Sequence, residues 1–243
     1  MIHSLITKLL GSKNWYIDDT PQIWRGVVEN PHAFATWDDV EYCLNNPQFY
    51  DINFIDKDTL NWVPIPKHQR TWSVDSQDTK DLIQAWKDGH NLVINNFDSG
   101  FTDKQELLKA LEKQFEGRMA FHIYAGYKGC SSFRVHEDTS NNFIMQIEGE
   151  TQWTVYKNKC SNIIDRTATY PEVELTYHGI EDMIPFLEKQ VSTLLVPGDI
   201  LYIPARCYHQ AQPHGKRLSV SIPMQHMIPH IKPIDRKYYE IPH

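Results

Sequence analysis

Short segments rich in β-branched and aromatic residues dominate the chain from residue 119 onward. Turn-forming residues, such as Gly149 and the run Pro197-Gly198-Asp199, separate these segments. Segments of about four to eight residues with this composition and these breaks are typical of strands. Many short strands joined by Gly and Pro turns indicate a β-sandwich or barrel. The predicted strands cover residues 119–124, 133–138, 143–148, 152–156, 192–196, 200–203, 208–212 and 218–222.

Helix-starting motifs precede the predicted strands. Thr36 and Asp39 have the spacing of a capping box, and Pro47 prevents the helix that they open from continuing. Asp78 is placed to cap a second helix, and a third begins at Thr102 with its apolar residues on one side. Two further helices are expected over residues 1–10 and 180–190.

The chain of 243 residues is long enough for one domain with a full core. We expect a barrel over residues 78–230, preceded by an extension of helices and loops over residues 1–77. Residues 56–76 contain both Trp62 and Trp72, which favours an ordered wrap over the barrel surface because flexible linkers rarely carry tryptophan. Residues 231–243 form a short tail.

Composition argues against several classes of protein. The formal net charge is −7 and no dense Lys/Arg run is present, so nucleic acid is not the expected partner. No apolar run reaches the length needed to span a membrane, and the N-terminus lacks the pattern of a secretion signal. The four cysteines are scattered, which is typical of reduced thiols in a cytoplasmic protein. We found no catalytic Ser/His/Asp order, phosphate-binding loop or dinucleotide-binding turn.

A metal-ligating pattern stands out among the predicted strands. His136 and Asp138 lie two residues apart, so in a strand both side chains point to one face and Glu137 to the other. His209 follows on a later strand. Two histidines and one carboxylate on one side of an iron ion leave positions open for a cosubstrate and O2. A His-x-Asp pair alone is a weak signal, because such a histidine is commonly a hydrogen-bonded side chain of a barrel wall.

The context of these residues resembles a known family. Residues 133–156 (FRVHEDTSNNFIMQIEGETQWTVY) and 195–210 (LVPGDILYIPARCYHQ) are similar to the two halves of JmjC or cupin-like 2-oxoglutarate oxygenases. The resemblance extends over roughly residues 78–225 and includes the ribosomal-oxygenase and asparaginyl-hydroxylase branches. It implies a mainly β fold with some α, a double-stranded β-helix (cupin or jelly-roll barrel) with N-terminal helices packed outside. It also implies an Fe(II) site at His136, Asp138 and His209, with 2-oxoglutarate and O2 as cosubstrates.

The chain departs from that family at one position. These enzymes usually anchor the far carboxylate of 2-oxoglutarate with Lys or Arg on the strand after the glycine, where this chain has Thr151. Arg217, with Ser219 on the same face, resembles an Arg-x-Ser pair of other branches and can pair bidentately with a carboxylate. Arg134 is the alternative, since it shares the facing of His136 in a strand and could point into the barrel.

Three smaller contributions to cosubstrate binding follow from the same resemblance. Asn142 matches an asparagine that helps to hold the cosubstrate, and Tyr124 occupies a position where the family often has a tyrosine. Thr151 could donate its hydroxyl to the same carboxylate. Alternatively, Asn142 is a turn residue and Tyr124 packs in the core. We expect Trp153 and Tyr202 to belong to the core.

These features predict a 2-oxoglutarate-dependent oxygenase that hydroxylates an unactivated C–H bond. The expected substrate is an amino-acid side chain in a protein, a peptide or a free amino acid, and a homodimer is possible. The short tail leaves no room for the C-terminal winged-helix domain of the ribosomal oxygenases, so their substrates do not transfer. The alternatives are a metal-dependent cupin dioxygenase or isomerase that does not use 2-oxoglutarate, an N-methyl demethylase, and a non-catalytic scaffold.

Overall fold

The strands pair into two antiparallel sheets and a small hairpin. The computed structural model describes residues 20–69, 75–115, 117–127, 133–159, 184 and 187–226. The strands are β1 (Gln22–Trp24), β2 (Asp51–Ile55), β3 (Lys67–Gln69), β4 (Asp75–Gln77), β5 (Asn91–Asn95), β6 (Gly117–Met119), β7 (His122–Gly126), β8 (Asn141–Glu148), β9 (Thr151–Lys159), β10 (Lys189–Leu195), β11 (Ile200–Ile203), β12 (Cys207–Pro213) and β13 (Arg217–His226). The helices are α1 (Trp37–Asn45), α2 (Thr79–Lys87) and α3 (Thr102–Phe115), with short 3-10 helices at Pro31–Ala33, Pro47–Phe49 and Phe97–Gly100.

The chain alternates between the two sheets in its second half. The larger sheet has the order β1-β11-β8-β13-β7-β5-β2, with β6 beside β13, and the smaller sheet has the order β10-β9-β12. Buried side chains of both sheets, such as Ile144 and Leu201 of the larger and Trp153 and Val155 of the smaller, form one cluster. The sheets therefore pack face to face as a jelly-roll barrel, which confirms the fold predicted from the sequence.

Strand β13 shows how the larger sheet separates its two faces. Leu218 and Val220 belong to the main apolar core together with residues of the helices, so this face packs against the outer helical layer. Arg217, Ser219 and Ser221 alternate with them and face the smaller sheet, where they line a cavity. Because side chains alternate strictly along a strand, one sequence stretch supplies both a core face and a polar interior face.

The helix starts follow the predicted capping motifs. The Thr36 hydroxyl accepts from the backbone N–H of Asp39, and the Asp39 carboxylate accepts from the backbone N–H of Thr36. This is the capping box expected for α1. Asp78 accepts from the backbone N–H of Lys80 and caps α2. Leu82 of α2 and Leu108 of α3 are buried in the main core, so these helices cover the outer face of the larger sheet.

The prediction that the residues before 78 form only helices and loops was wrong. Strand β1 pairs with β11, with Trp24 opposite Ile200, and β2 pairs with β5, with Ile52 opposite Ile94. This segment thus extends both edges of the larger sheet. The strands are only three and five residues long, which is too short for periodicity to reveal them.

Other expectations fall partly or wholly beyond the described part of the chain. The predicted helix over residues 1–10 and the tail over residues 231–243 lie outside the described residues, as do Trp72, Cys130, Cys160 and His178. Most of the predicted helix over residues 180–190 also lies outside, and its last two residues belong to strand β10. Cys43 and Cys207 are buried free thiols. Among the described residues, no helix is long and apolar enough to cross a membrane.

A close backbone approach at Gly149 provides a test of the packing. Gly149 has φ +69, and a Cβ there would lie 2.0 Å from the carbonyl oxygen of Lys216. The Gly149→Ala variant should lose about 2–4 kcal/mol of unfolding free energy in urea denaturation, from backbone strain plus this overlap. Gly26→Ala is the control, because Gly26 has φ +57 with nothing within 4 Å and should lose only about 1–2 kcal/mol. Equal losses would show that the close approach does not contribute.

Candidate metal centre

His136, Asp138 and His209 meet at one point between the sheets. Their ligand atoms all lie within 4.8 Å of one another, and His209 Nε2 is 3.5 Å from Asp138 Oδ2. His209 lies on β12 and is buried, whereas the other two lie in the connection before β8 and are partly exposed. Two imidazole nitrogens and one carboxylate oxygen at this spacing can hold a single divalent metal ion on one side.

The connection that carries His136 and Asp138 is not the strand predicted over residues 133–138. Among the described residues, the backbone of one residue pair links it to β12: the N–H of His136 donates to the His209 carbonyl over 3.1 Å, and that of His209 donates back over 2.8 Å. The ladder stops there because the Asp138 carbonyl accepts instead from the backbone N–H of Arg206, in the turn before β12. His136 and Asp138 nevertheless converge on His209.

Hydrogen bonds fix the orientation of both histidine rings. Nδ1 of His136 is 2.8 Å from the carbonyl oxygen of Arg134, and Nδ1 of His209 is 2.9 Å from that of Cys207. A carbonyl oxygen can only accept, so each Nδ1 carries the hydrogen and each neutral ring has its lone pair on Nε2. Both rings are therefore set as metal ligands through Nε2 by a carbonyl two residues earlier in the chain.

Asp138 is held as a carboxylate. Withdrawal from water raises its pKa, but the hydrogen bond and positive charge of His209 when its Nε2 is protonated, with smaller contributions from His136 and His122, lower the pKa to about 2, and a bound metal cation would take the place of that proton. Asn142 Nδ2 donates to Asp138 Oδ2 over 2.5 Å. Asn142 thus contacts the proposed metal ligand, and its contact with the cosubstrate stays a prediction.

A cavity between the sheets opens beside the three ligands. It encloses about 440 Å³ of space, part of it open solvent. One side of the lining is apolar, and the other side carries a guanidinium and hydroxyl groups. The lining residues are Tyr124, Phe133, His136, Asp138, Ile144, Trp153, His209, Ala211, Arg217, Ser219 and Ser221. Trp153 and Tyr202 both belong to the core, as predicted, and Trp153 also lines this cavity.

Arg217 lies deep in this cavity. Its side chain is 2% exposed, and Ser219 on the same face donates to Gln146 Oε1 over 3.1 Å. Tyr124 lies close to both charged groups of the cavity: burial and the charge of Asp138 raise its pKa, while Arg217 acts in the opposite direction. The Tyr124 phenol therefore remains protonated and able to donate a hydrogen bond.

Arg134 and Thr151 occupy different surroundings from Arg217. Arg134 Nη2 donates to the carbonyl of Thr59 over 3.2 Å at the outer surface, and Arg134 does not line the cavity. The expectation that it points into the barrel fails because residues 133–138 do not form a strand. Thr151 is fully buried, and its hydroxyl has no hydrogen-bond partner among the described residues.

Sequence reasoning missed His122, which lies at the edge of the same cavity. His122 pairs with Ser221, a lining residue, and residues opposite one another in an antiparallel pair share a face. Its Nδ1 is 2.7 Å from Asn95 Oδ1, and Asn95 Nδ2 donates to Asp51. Since Asp51 must accept, Asn95 Oδ1 accepts from His122 and leaves the lone pair on Nε2. His122 lies two residues before Tyr124, so both side chains share one face of the strand, and this spacing could have identified His122 from the sequence.

Comparison with known proteins gives consistent matches. A model of the JmjC domain matches residues 94–230. Ribosomal oxygenase 1 of Homo sapiens is 28% identical over 107 residues, which cover 44% of this chain and 15% of that protein. Bifunctional lysine-specific demethylase and histidyl-hydroxylase NO66 of Dictyostelium discoideum is 26% identical over 126 residues, which cover 52% of this chain and 23% of that protein. The matches thus span less than a quarter of either relative.

Solved structures show the same fold. The ribosomal oxygenase YcfD of Escherichia coli superposes with a TM-score of 0.55 at 16% identity, covering 96% of this chain and 58% of that one. Its complex with cobalt and 2-oxoglutarate gives a TM-score of 0.54 at 16% identity, covering 94% of this chain and 56% of that one.

Removing the carboxylate tests the metal centre. The Asp138→Ala variant should bind Co(II) at least 100-fold more weakly than the wild type in calorimetry. This exceeds the roughly 10- to 100-fold loss typical of residues that only support a ligand. His214→Ala is the control, because His214 is an exposed histidine outside the cluster. Equal Co(II) affinity in wild type and Asp138→Ala would exclude this carboxylate as a ligand.

Proposed function

The chain belongs to the JmjC domain family, and from that premise we propose that it is an Fe(II)- and 2-oxoglutarate-dependent oxygenase. We propose further that it hydroxylates an unactivated C–H bond of an amino-acid side chain. The observation that carries the proposal is the shared cavity, which has a cluster of two histidines and a carboxylate at one position and a buried arginine at another.

The donor set of the cluster fits Fe(II). Two neutral imidazoles with lone pairs on Nε2 and one ionised carboxylate form the facial arrangement found in non-haem iron oxygenases. His136, Asp138 and His209 would hold the ion. Fe(II) together with 2-oxoglutarate supplies the activation of O2 when bound. Asn142 orients the carboxylate by donating to it, and the backbone carbonyls orient the two rings.

The same cavity provides groups suited to a dicarboxylic acid. Arg217 offers a planar guanidinium that can pair bidentately with the far carboxylate. Tyr124 adds a hydroxyl donor on that side of the cavity, and Ser219 can add another by rotating its hydroxyl away from Gln146. The buried hydroxyl of Thr151 is a further candidate. Phe133, Ile144 and Trp153 cover the remaining wall and exclude water from the bound acid. The complex of YcfD with cobalt and 2-oxoglutarate supports this assignment.

We assign the substrate to the class of proteins, peptides or free amino acids. Support comes from the relatives, one named a ribosomal oxygenase and another a lysine-specific demethylase and histidyl-hydroxylase. Demethylation, the first activity in that name, would use the same site on an N-methyl group. Hydroxylation stands as the main proposal, because ribosomal oxygenases recur among the relatives and the structural neighbours.

An aromatic lip at the cavity mouth is the proposed substrate contact. Trp62 is 57% exposed, and its ring lies edge-on to that of Phe133 at a centroid distance of 5.7 Å. Phe133 in turn lies 5.1 Å from the ring of His136. An exposed tryptophan joined to a metal ligand through one aromatic ring can hold a substrate beside the metal. We therefore propose that the described part of the aromatic-rich region over residues 50–72 contributes to the substrate wall.

The cosubstrate assignment is tested by calorimetry with anaerobic, Fe(II)-loaded protein. We expect Arg217→Ala to weaken 2-oxoglutarate binding by at least 100-fold, because a charge-assisted bidentate pair is worth about 3 kcal/mol. Arg134→Ala is the matched control and should bind as the wild type does. Binding lost in Arg134→Ala and kept in Arg217→Ala would reverse the assignment. Failure of iron-loaded wild type to bind 2-oxoglutarate would instead favour a dioxygenase or isomerase that does not use it.

The aromatic lip is tested separately. Trp62→Ala should leave 2-oxoglutarate affinity unchanged and lower the hydroxylation of a mixed peptide library, followed by mass spectrometry as the gain of one oxygen atom. Phe49→Ala is the control, because Phe49 is another exposed aromatic residue but, unlike Trp62, has no described ring contact with Phe133. Unchanged library hydroxylation in Trp62→Ala would exclude the lip as a substrate contact.

A further inference from the structure

Glu137 lies between two of the proposed metal ligands and is directed away from the metal. It is 5% exposed, and its Oε2 lies 3.4 Å from Nη1 of Arg206, which is 2% exposed. Burying two charged groups is unfavourable unless they compensate each other. The pair therefore occupies a costly position directly behind the metal centre, and the ligand set itself does not account for it.

The turn formed by Arg206 and Cys207 contacts both parts of the metal centre. Arg206 adopts φ +70, a left-handed conformation that is uncommon for residues other than glycine. Its N–H donates to the Asp138 carbonyl over 2.7 Å. The carbonyl of the next residue, Cys207, accepts from Nδ1 of His209 over 2.9 Å. This turn thus links the carboxylate ligand to the ring orientation of the histidine ligand. The left-handed backbone of Arg206 is unfavourable, and such geometry persists only where the surrounding structure enforces it.

The backbone pairing described between this connection and β12 is short. The ligands lie on two separate parts of the chain, and the structure describes a single bridge, between His136 and His209, where a full strand ladder would hold two neighbouring strands. A side-chain link on the side away from the metal would restrict the remaining rotation of residues 136–138 about that bridge. The Glu137–Arg206 pair is placed to do this, since it joins the middle of that connection to the turn before β12.

We propose that the buried Glu137–Arg206 pair sets the separation of the Asp138 carboxylate from His209, and thereby the affinity and coordination geometry of the metal site. Both are positioning residues that act through the ligands and touch neither the metal nor the substrate. The inference rests on the proposed function for the identity of the site. It adds a determinant of metal binding that the ligand triad does not contain.

The test uses Glu137→Gln, which keeps the size of the side chain and removes its charge. Co(II) is the probe, and its affinity is measured by calorimetry and its coordination geometry by its visible absorption spectrum. We expect a 10- to 100-fold weaker affinity, the range found for groups that support metal ligands, and a shifted spectrum. Arg206→Lys keeps the charge without the planar guanidinium and should give a smaller change. It provides a second test of the pair if Glu137→Gln does not fold.

Lys104→Met provides the matched control for lost stability. Lys104 is a buried cation 3.0 Å from Asp103 and 3.7 Å from Asp39, away from the cavity. This variant should lower Tm while leaving Co(II) affinity and spectrum unchanged. If Glu137→Gln and Arg206→Lys behave like Lys104→Met, the pair is only structural and the inference fails. If the folded wild type does not bind Co(II), the proposed function fails as well, so the two failures are distinguishable.

Discussion

The alternation of side chains along the strands of the larger sheet is the constraint on which the rest of the structure depends. This sheet has to bury one face against the helices and present the other to the smaller sheet. On β13, Leu218 and Val220 satisfy the first requirement, and Arg217 and Ser219 the second. A shift of one residue in its pairing would exchange the two faces and place the guanidinium in the apolar core. The large apolar area buried on the outer face therefore fixes the position of the polar groups in the cavity.

The interior can hold these polar groups because backbone atoms and neighbouring side chains compensate them. Carbonyl oxygens accept from Nδ1 of both His136 and His209, and Asn142 donates to Asp138. Each of these contacts also selects the form of the group that binds a metal, a neutral imidazole or an ionised carboxylate. The interactions that make burial tolerable are thus the ones that prepare the site, and stability and metal binding depend on the same hydrogen bonds.

The sequence predicted the parts of the fold and site that follow from strong local patterns. Capping residues located the starts of α1 and α2, and turn residues separated the strands of the barrel. Strand alternation then placed Arg217 and Ser219 on one face, and both line the cavity. It failed where tertiary contacts decide the backbone. Residues 133–138 carry a strand composition, yet their ladder ends when the Asp138 carbonyl bonds to Arg206, and Arg134 consequently lies outside the cavity. No local pattern predicts that hydrogen bond, because Asp138 and Arg206 lie about 70 residues apart in the sequence. Asn142 and Asp138, by contrast, lie close together in the sequence.

The neutral residue at position 151 is compatible with a carboxylate anchor elsewhere at the same end of the barrel. Gly149 precedes Thr151 by two residues, and a Cβ on Gly149 would lie 3.1 Å from Cα of Arg217. The turn before β9 and the start of β13 are therefore in contact, although β9 and β13 belong to different sheets. A cation supplied from β13 instead of β9 enters the cavity from the larger sheet. Under the proposed function, the absence of Lys or Arg at position 151 changes which sheet would provide the charge, and Arg217 would supply the buried cation of the cavity.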